Sequence, residues 1–275
     1  MMHRRIVTRL AIGLLAIVPV ALSGCSAGGS GGESGPNTLQ TIEKRGTLRV
    51  AVLPDFPPTS VKKPSGKIVG YAPDIAKELA KALGVKLKMV PVNGDERLSV
   101  MKSKRADVNI SAYTATNERA KKVAFTIPYK SQGAGVLFRK DDPITSVKDL
   151  AGKKVAVARG STNDTIITDD FPKAKPVRFD SIAHVLQALK SNKVDAAMET
   201  YYVTHQNAKK NSALKALDVP PIKPDLISMG VLPDQQQWLN YLDNFIRNLI
   251  SQGDAQKLHK KWFDEDLSPL VKNYG

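Results

Sequence analysis

The densest run of polar residues lies between Asp107 and Arg119 and reads DVNISAYTATNER. A strand predicted over 106–111 leads into hydroxyl-bearing residues, and Arg119 follows at the start of the next turn. The planar guanidinium of arginine matches a carboxylate in two parallel hydrogen bonds, and Thr114 and Thr116 add hydroxyl donors. Taken alone, the run fits a surface arginine beside a helix-capping threonine better than a binding site. A carboxylate-binding role therefore needs support from elsewhere in the chain.

A second run, Arg159-Gly160-Ser161-Thr162, stands where a strand predicted over 153–158 gives way to a helix. Gly160 allows close approach to the backbone, and a helix that begins near Thr162 points N–H groups and its positive dipole end at an anion. Ser161 and Thr162 also suit ordinary helix capping, so they are compatible with both purposes.

Alternating strand-like and helix-like segments predict how these two runs are brought together. Strands are expected at 47–53, 85–92, 106–111, 153–158, 177–179 and 195–198, and helices from 73, around 97–103, from 162, through 185–189, at 235–250 and at 253–263. This order predicts an α/β fold with a mostly parallel sheet covered by helices. The pattern restarts after Arg139, so we expect two halves with the ligand in the crevice between them, outside the carboxyl ends of the strands.

The N-terminus carries the parts of a secretory signal. Positive residues at 3–9 precede an apolar stretch over 10–22, which is short for a bilayer span of about 20 apolar residues. Leu22-Ser23-Gly24-Cys25 resembles the lipobox of bacterial lipoproteins, in which the cysteine is lipidated and becomes the first mature residue. An ordinary signal peptide that happens to contain a cysteine is the alternative. Cys25 is the only cysteine, so lipid attachment there would leave no thiol for a disulfide, a nucleophile or a soft metal.

Composition limits the partners. The formal net charge is +15, and removing Arg4, Arg5 and Arg9 with the signal leaves +12. The lysines are scattered over polar faces, so we expect a solvated basic surface that favours anionic lipid headgroups and no nucleic acid. No triad, phosphate-loop or zinc spacing occurs, and we expect no cofactor and no metal.

Six motifs occur in order at fitting spacing. They are GTLRVAV from Gly46, PP at 57–58, GY at 70–71 with DIA at 74–76, TATNER from Thr114, FTIPY from Phe125 and KWF at 261–263. Together they resemble the family-3 bacterial extracellular solute-binding proteins, the polar amino-acid receptors of ABC importers. The resemblance covers the chain from Leu39 onward. It implies a two-lobe periplasmic-binding-protein (type II) fold, in which each lobe is a mixed, mostly parallel sheet flanked by helices and two crossing strands form the hinge.

The implied organisation has five segments. They are a lipoprotein signal peptide at 1–24, a Gly/Ser tether at 25–38, the first part of lobe 1 at 39–136, lobe 2 at 137–231 and the C-terminal helices of lobe 1 at 232–275. We expect hinge segments near 134–140 and 227–233, about which the lobes close on the ligand.

The resemblance also implies roles for individual residues. Arg119 stands where the family's arginine grips the ligand α-carboxylate, Thr114 where a Ser or Thr helps it, and Phe56 where an aromatic ring covers the ligand side chain. Ser161 and Thr162 match the family's second-lobe turn. The full set of candidate ligand-binding residues is Asp55, Phe56, Tyr113, Thr114, Thr116, Arg119, Ser161, Thr162, Glu199 and Thr200.

One departure from the family pattern concerns the ligand amine. Thr200 stands where many members carry the aspartate that receives the ammonium, and burying an ammonium without a carboxylate is costly. Glu199 is adjacent, but successive strand residues point to opposite faces, so both reach the cleft only if the strand ends there. Either Glu199 or Asp55 substitutes, or the ligand is not an ordinary α-amino acid.

The sequence thus predicts a monomeric, lipid-anchored extracytoplasmic receptor for an amino acid or related carboxylate, working with an ABC permease. An exported lyase of the prephenate dehydratase type is an alternative, with Glu199 as its acid or base. A ligand sensor or adhesin without transport is another. His184, His205 and His259 are expected to be solvated or structural.

Overall fold

The structure, a computed structural model, describes residues 37–275. The predicted signal peptide, Cys25 and residues 26–36 of the predicted tether lie outside the described residues. The strands are β1 (Thr47–Val52), β2 (Asp55–Phe56), β3 (Ser60–Lys62), β4 (Ile68–Val69), β5 (Lys86–Pro91), β6 (Val108–Thr114), β7 (Ala124–Arg139), β8 (Lys154–Ala158), β9 (Lys175–Phe179), β10 (Ala196–Thr200), β11 (Leu214–Ala216) and β12 (Ile222–Val231). The helices are α1 (Thr38–Arg45), α2 (Tyr71–Ala82), α3 (Glu96–Lys102), α4 (Asn117–Ala120), α5 (Thr162–Asp169), α6 (Ile182–Lys190), α7 (Tyr201–Lys210), α8 (Gln236–Ser251), α9 (Asp254–Phe263) and α10 (Pro269–Lys272).

Two sets of parallel strands flank an antiparallel centre. The sheet order is β5-β1-β6-β12-β7-β10-β8-β9, and β11 pairs with β7. Strands β5, β1 and β6 are parallel, as are β10, β8 and β9, whereas β12 and β7 run antiparallel to each other and to their outer neighbours. We call the β5-β1-β6 side the first half and the β10-β8-β9 side the second half. The predicted α/β class with a mixed sheet and flanking helices is confirmed.

Strands β7 and β12 connect the two halves. β12 pairs with β6 of the first half between Ile227 and Gly230, and β7 pairs with β10 of the second half between Ala134 and Phe138. The two strands pair with each other from Ile222 to Val231 on the β12 side. The chain therefore crosses between the halves along one hydrogen-bonded pair.

Each half has its own apolar core. In the first half, Leu48, Val50 and Ile75 are fully buried together with Trp238 and Ile246 of α8, so α8 completes the first half. Trp238 also donates its indole N–H to the Asp107 carbonyl at 2.9 Å. In the second half, strand residues of β8 and β10 pack against α5 and α6. Among the described residues, no helix combines the length and apolar character that a membrane crossing requires.

Asp74 ties α2 to the C-terminal helices. It lies in the first turn of α2, is 7% exposed, and accepts hydrogen bonds from Lys261 Nζ at 2.7 Å and Trp262 Nε1 at 2.8 Å as well as from Lys77. These donors hold the pKa of the carboxyl below its usual value against the opposing effect of burial. Asp74 is thus a structural carboxylate that joins α2 to α9.

We expect Asp74→Ala to lower the free energy of unfolding by about 2–4 kcal/mol, because Lys261 and the Trp262 indole would lose their shared partner. Urea denaturation of residues 37–275, followed by circular dichroism, measures this loss of stability. Glu78→Ala on the same helix is the matched control and should change stability by less than about 0.5 kcal/mol, since the one ion pair of Glu78 within residues 37–275 is an exposed contact with Lys81 at 4.0 Å. Similar losses in the two variants would contradict the assignment.

Candidate ligand-binding cleft

A cavity of about 390 Å³ opens where strands of the two halves end. The loop after β1, the end of β6 and the start of α3 form one wall, and the starts of α5 and α6 with the end of β10 form the other. Eight of the ten predicted residues line it: Asp55, Phe56, Thr114, Arg119, Ser161, Thr162, Glu199 and Thr200. The cavity lies where the sequence predicts the ligand site, in the crevice outside the carboxyl ends of the strands.

A backbone irregularity shapes the cavity wall at Ala112. This residue lines the cavity with φ 52°, a left-handed conformation that non-glycine residues rarely adopt. The pairing of β6 with β12 shifts register at the same place, between Ser228 and Gly230. Such bulges bend a strand and re-aim its side chains, and this one precedes Thr114 at the cavity.

Arg119 reaches from the first half to the second. Its Nη1 donates to the Thr114 carbonyl at 3.0 Å and its Nη2 donates to the Gly160 carbonyl at 2.8 Å. The Tyr113 ring lies 5.1 Å from the guanidinium carbon, and Thr116 caps α4 by accepting the Arg119 backbone N–H at 3.2 Å. Burial lowers the pKa of Arg119, but a guanidinium stays charged at neutral pH. Tyr113 and Thr116 do not line the cavity themselves, but both contact Arg119, which does.

Asp225 is a site residue that the sequence analysis missed. It lies on β12, and its Oδ2 accepts a hydrogen bond from Thr114 Oγ1 of the first half at 3.0 Å and from Thr162 Oγ1 of the second at 3.1 Å. Its Oδ1 is buried and has no hydrogen-bond partner among the described residues. Burial raises the pKa of this carboxyl, against the effects of the two hydroxyls, Arg119 and Lys130. The segment around Asp225 carries no pattern that could have identified it.

Arg97 is a second missed residue. Its side chain lines the cavity from α3, is 6% exposed, and donates to Ser111 through Nε and Nη2 at 3.0 and 3.1 Å. Its guanidinium carbon lies 5.2 Å from the Tyr113 ring, so Arg97 and Arg119 share one aromatic residue. Burial and the neighbouring Arg119 lower the pKa of Arg97 to about 10. The signal available in the sequence was a charged residue three and four positions before the apolar residues Val100 and Met101, which places it on the same face of α3.

Glu199 and Thr200 both reach the cavity because β10 ends there. Thr200 caps α7, and its hydroxyl accepts the Val203 N–H at 3.4 Å. Glu199 is 2% exposed, and its Oε1 has no hydrogen-bond partner among the described residues. Burial, with a smaller effect of the Asp55 charge, raises the pKa of Glu199 to about 8. The cavity therefore holds a carboxyl group that is mostly protonated at neutral pH while the site is empty.

We expect Glu199→Gln to stabilise the ligand-free protein increasingly as pH rises from 5 to 9. The folded-state pKa of about 8 lies above the usual 4.5. Between these two values the carboxyl is ionised in the unfolded chain but protonated in the folded one, so the wild type loses on the order of a few kcal/mol of stability as pH rises to about 8, and the loss then levels off. Glutamine does not ionise. Melting temperatures at pH 5, 7 and 9 measure the difference, and Glu43→Gln on the exposed face of α1 is the control. A constant offset between Glu199→Gln and wild type across this range would contradict the raised pKa.

A two-part α/β fold with a polar cleft between its halves defines the class of extracytoplasmic solute-binding proteins. The chain belongs to the bacterial extracellular solute-binding proteins, family 3, whose family model matches residues 48–265. It is 28% identical over 232 residues to the L-cystine-binding protein TcyJ of Escherichia coli (strain K12), covering 84% of this chain and 87% of TcyJ.

Solved structures give the same result. The P235GK mutant of ArgBP from T. maritima is 33% identical with a TM-score of 0.78, over 83% of this chain and all of that one. The ancestral amino acid-binding protein AncCDT-1, described as a precursor of cyclohexadienyl dehydratase, is 34% identical with a TM-score of 0.77, over 82% and 99% of the two chains. The type II periplasmic-binding fold expected from the sequence is confirmed. These proteins are described as binding proteins, which supports a receptor over a lyase.

Proposed function

We propose that the protein captures a polar amino acid, or a closely related carboxylate, and delivers it to an ABC importer. The observation that carries this proposal is a cavity lined by two groups, the guanidinium of Arg119 and the buried carboxyl of Glu199. One oxygen of that carboxyl has no hydrogen-bond partner in residues 37–275. These two groups complement the two charges of an α-amino acid. The names of the relatives, which include cystine-, arginine- and glutamine-binding proteins, favour the same solute class.

The carboxylate end of the ligand is assigned to Arg119. Among the described residues, both hydrogen bonds of its guanidinium go to backbone carbonyls, those of Thr114 and Gly160, which are neutral acceptors. A ligand carboxylate is a stronger acceptor for a guanidinium, so exchange for it is favourable. The start of α5 at Thr162 adds helix N-terminal N–H groups to the same region, because the first turn of a helix has no acceptors for them within the helix.

The amine end is assigned to Glu199, with Asp55 nearby. Thr200, which stands at the family's usual acidic position, uses its hydroxyl to cap α7. Glu199 is buried in the cavity wall, and Asp55 lies half-buried at the same cavity. The departure at Thr200 is therefore compatible with recognition of an α-amine.

Binding closes the two halves about β7 and β12 in this proposal. The pairing pattern favours hinge positions at 130–134 and 222–227, where each strand passes from one half to the other. These positions precede the segments expected from sequence, 134–140 and 227–233. The lobe bounds 39–136, 137–231 and 232–275 remain a prediction.

In this proposal, residues 1–24 are removed and a lipid on Cys25 anchors the receptor to the cell membrane on its extracytoplasmic side. The tether would keep the monomeric body near its permease at high effective concentration. Metabolic labelling with a palmitate analogue, in the wild type and in Cys25→Ser, tests this anchor, and equal labelling would contradict it.

We expect the body, residues 37–275, to gain thermal stability with at least one amino acid in a panel that includes cystine, arginine, glutamine and histidine. Arg119→Ala should weaken that binding at least about a hundredfold, because the ligand carboxylate would be left without its bidentate partner. Arg105→Ala, at an exposed position away from the cavity, is the control. Unchanged affinity in Arg119→Ala would exclude the assigned carboxylate site. Prephenate belongs in the panel, and turnover of it would favour the lyase alternative.

We also expect amino-acid binding to release close to one proton at pH 7. A ligand ammonium beside Glu199 stabilises its ionised form, and in the empty site the pKa of Glu199 is about 8. Affinity should therefore rise from pH 6 to pH 8 and then level off. Titration calorimetry in buffers of different ionisation enthalpy counts the proton, and Glu199→Gln should release none. Binding that is independent of pH over this range would argue against Glu199 as the amine acceptor.

A further inference from the structure

The amino ends of β5, β1 and β6 form the edge of the first half that lies away from the cleft. Backbone hydrogen bonds join the chain segments at this edge, from Lys86 N to the Gly46 carbonyl at 3.0 Å and from Asp107 N to the Arg49 carbonyl at 2.9 Å. Parallel pairing brings these segments together although they are far apart in sequence. Five exposed basic residues at this edge form a surface that we call the basic pole: Lys44, Lys86, Lys102, Lys104 and Arg105.

The basic pole carries charge that the fold does not neutralise. Within residues 37–275, none of its five side chains forms an ion pair. The buried carboxylate of Asp107 at the same edge is already held by Arg45 at 2.5 Å and Arg49 at 2.7 Å. Glu43 and Asp234 are exposed there, so the cations outnumber the carboxylates. The pole is therefore net positive and accessible to an anionic surface.

The described chain also begins at the basic pole. Asn37 Nδ2 donates to Gln237 Oε1 at 2.5 Å, at the start of α8. That end of α8 lies at the amino end of β6, because the Trp238 indole donates to the Asp107 carbonyl at 2.9 Å. The chain therefore enters the body at the basic pole, and Cys25 is only twelve residues earlier in the sequence.

The length of this connection distinguishes the basic pole from the far end of the second half. Strand β7 runs between the two ends. Its Phe125 is level with Asn109 at the amino end of β6, since both pair with Gly230, and its Phe138 pairs with Ala196 at the amino end of β10. The span is about 45 Å at 3.3 Å per residue. Twelve residues reach at most about 40 Å, so a lipid-anchored chain brings the basic pole to the bilayer much more readily than the far end.

We infer that the basic pole docks the protein on anionic phospholipid headgroups, with the lipid on Cys25 as a second point of attachment. The inference rests on the lipid anchor of the proposed function. Clusters of about four to eight Lys and Arg residues are typical of contacts with anionic membrane surfaces. An acyl chain and a basic patch act together as two attachment signals. The cleft lies at the carboxyl ends of the same strands, so docking through their amino ends keeps the cleft clear of the headgroups and open to the solute.

Coupling through Cys25, the one cysteine of the sequence, allows a direct test. Residues 25–275 are attached to a maleimide lipid in vesicles of phosphatidylcholine alone or of phosphatidylcholine with phosphatidylglycerol. Acetylation of the lysine amines, followed by mass spectrometry, shows which lysines the headgroups cover. We expect Lys44, Lys86 and Lys102 to react at least about fivefold more slowly on the anionic vesicles than on the neutral ones. High salt should remove the difference, because the contact is electrostatic.

The far end of the second half supplies the internal control. Lys154, Lys175 and Lys193 are exposed at or just before the amino ends of β8, β9 and β10, and they should react equally on both kinds of vesicle. Protection of these three lysines, or equal reactivity of the basic-pole lysines on the two kinds of vesicle, would overturn the inference. Stronger protection of the pole by soluble polyphosphate than by the anionic vesicles would assign it to an anionic polymer and overturn the inference as well.

Removing charge from the pole should abolish docking. In a variant that combines Lys44→Gln, Lys86→Gln, Lys102→Gln and Arg105→Gln, Lys104 remains as the reporter, and it should react equally on the anionic and the neutral vesicles. Continued protection of Lys104 in this variant would contradict the role of the pole.

A matched variant removes the same charge from the far end. It combines Lys153→Gln, Lys154→Gln, Lys175→Gln and Lys193→Gln, and it should leave Lys104 protected on the anionic vesicles as in the wild type. Loss of protection in both variants would mean that net charge alone, and not the basic pole, governs the contact, and would overturn the inference.

The outcomes separate this inference from the proposed function. The substituted residues lie away from the cavity, so both variants should bind an amino acid as tightly as the wild type does, which also shows that they are folded. Palmitate labelling that does not depend on Cys25 would remove the natural anchor. Docking of the pole is measured on a chemically coupled chain, so its failure is distinguishable from the failure of that anchor.

Discussion

The antiparallel pairing of β7 and β12 is the constraint on which the rest of the structure depends. A buried strand must satisfy its backbone hydrogen bonds along its whole length, and these two strands do so partly with each other and partly with one half each. Both halves are therefore built outward from a shared pair. Their strand ends face the same gap, and residues far apart in the chain, such as Arg119 and Gly160, meet across it at 2.8 Å.

The cleft concentrates buried ionisable groups that folding alone would not favour. Arg97 and Arg119 are stacked on one tyrosine, and burial lowers the pKa of both. Glu199 and Asp225 are carboxyl groups whose pKa values are raised by burial, and within the described part of the chain each has an oxygen without a hydrogen-bond partner. Incompletely satisfied buried charges reduce stability. A zwitterionic ligand that supplies the missing partners would recover that free energy and would couple binding to the proposed closure of the halves. Asp74 and Asp107 differ, because lysine, arginine or tryptophan partners satisfy them within one half.

Local patterns predicted most of the elements. Short β-branched runs bounded by Gly or Pro located β1, β5 and β8 to within about one residue at each end. The 16-residue strand β7 was missed as one element, because Pro128 and the polar residues up to Gly133 interrupt its apolar pattern. Strand β7 makes its hydrogen bonds with β12, β10 and β11. These neighbouring strands stabilise a segment whose own composition does not predict a strand. Helix α7 was missed for a related reason, since only Val203 and Thr204 of its residues are buried.

The sequence by itself determined the α/β alternation, the family resemblance and the position of the cleft, and it named as candidates eight residues that line the cavity. These follow from local periodicity and from short motifs whose spacing is visible along the chain. Only the tertiary structure decided that Glu199 and Thr200 both reach the cavity, that Arg97 lines it, and that Asp225 joins Thr114 and Thr162. Asp225 is 111 and 63 residues away from those threonines. Their contact depends on the register of β12 against β6 and β7, and no local pattern encodes a register between strands so distant in sequence.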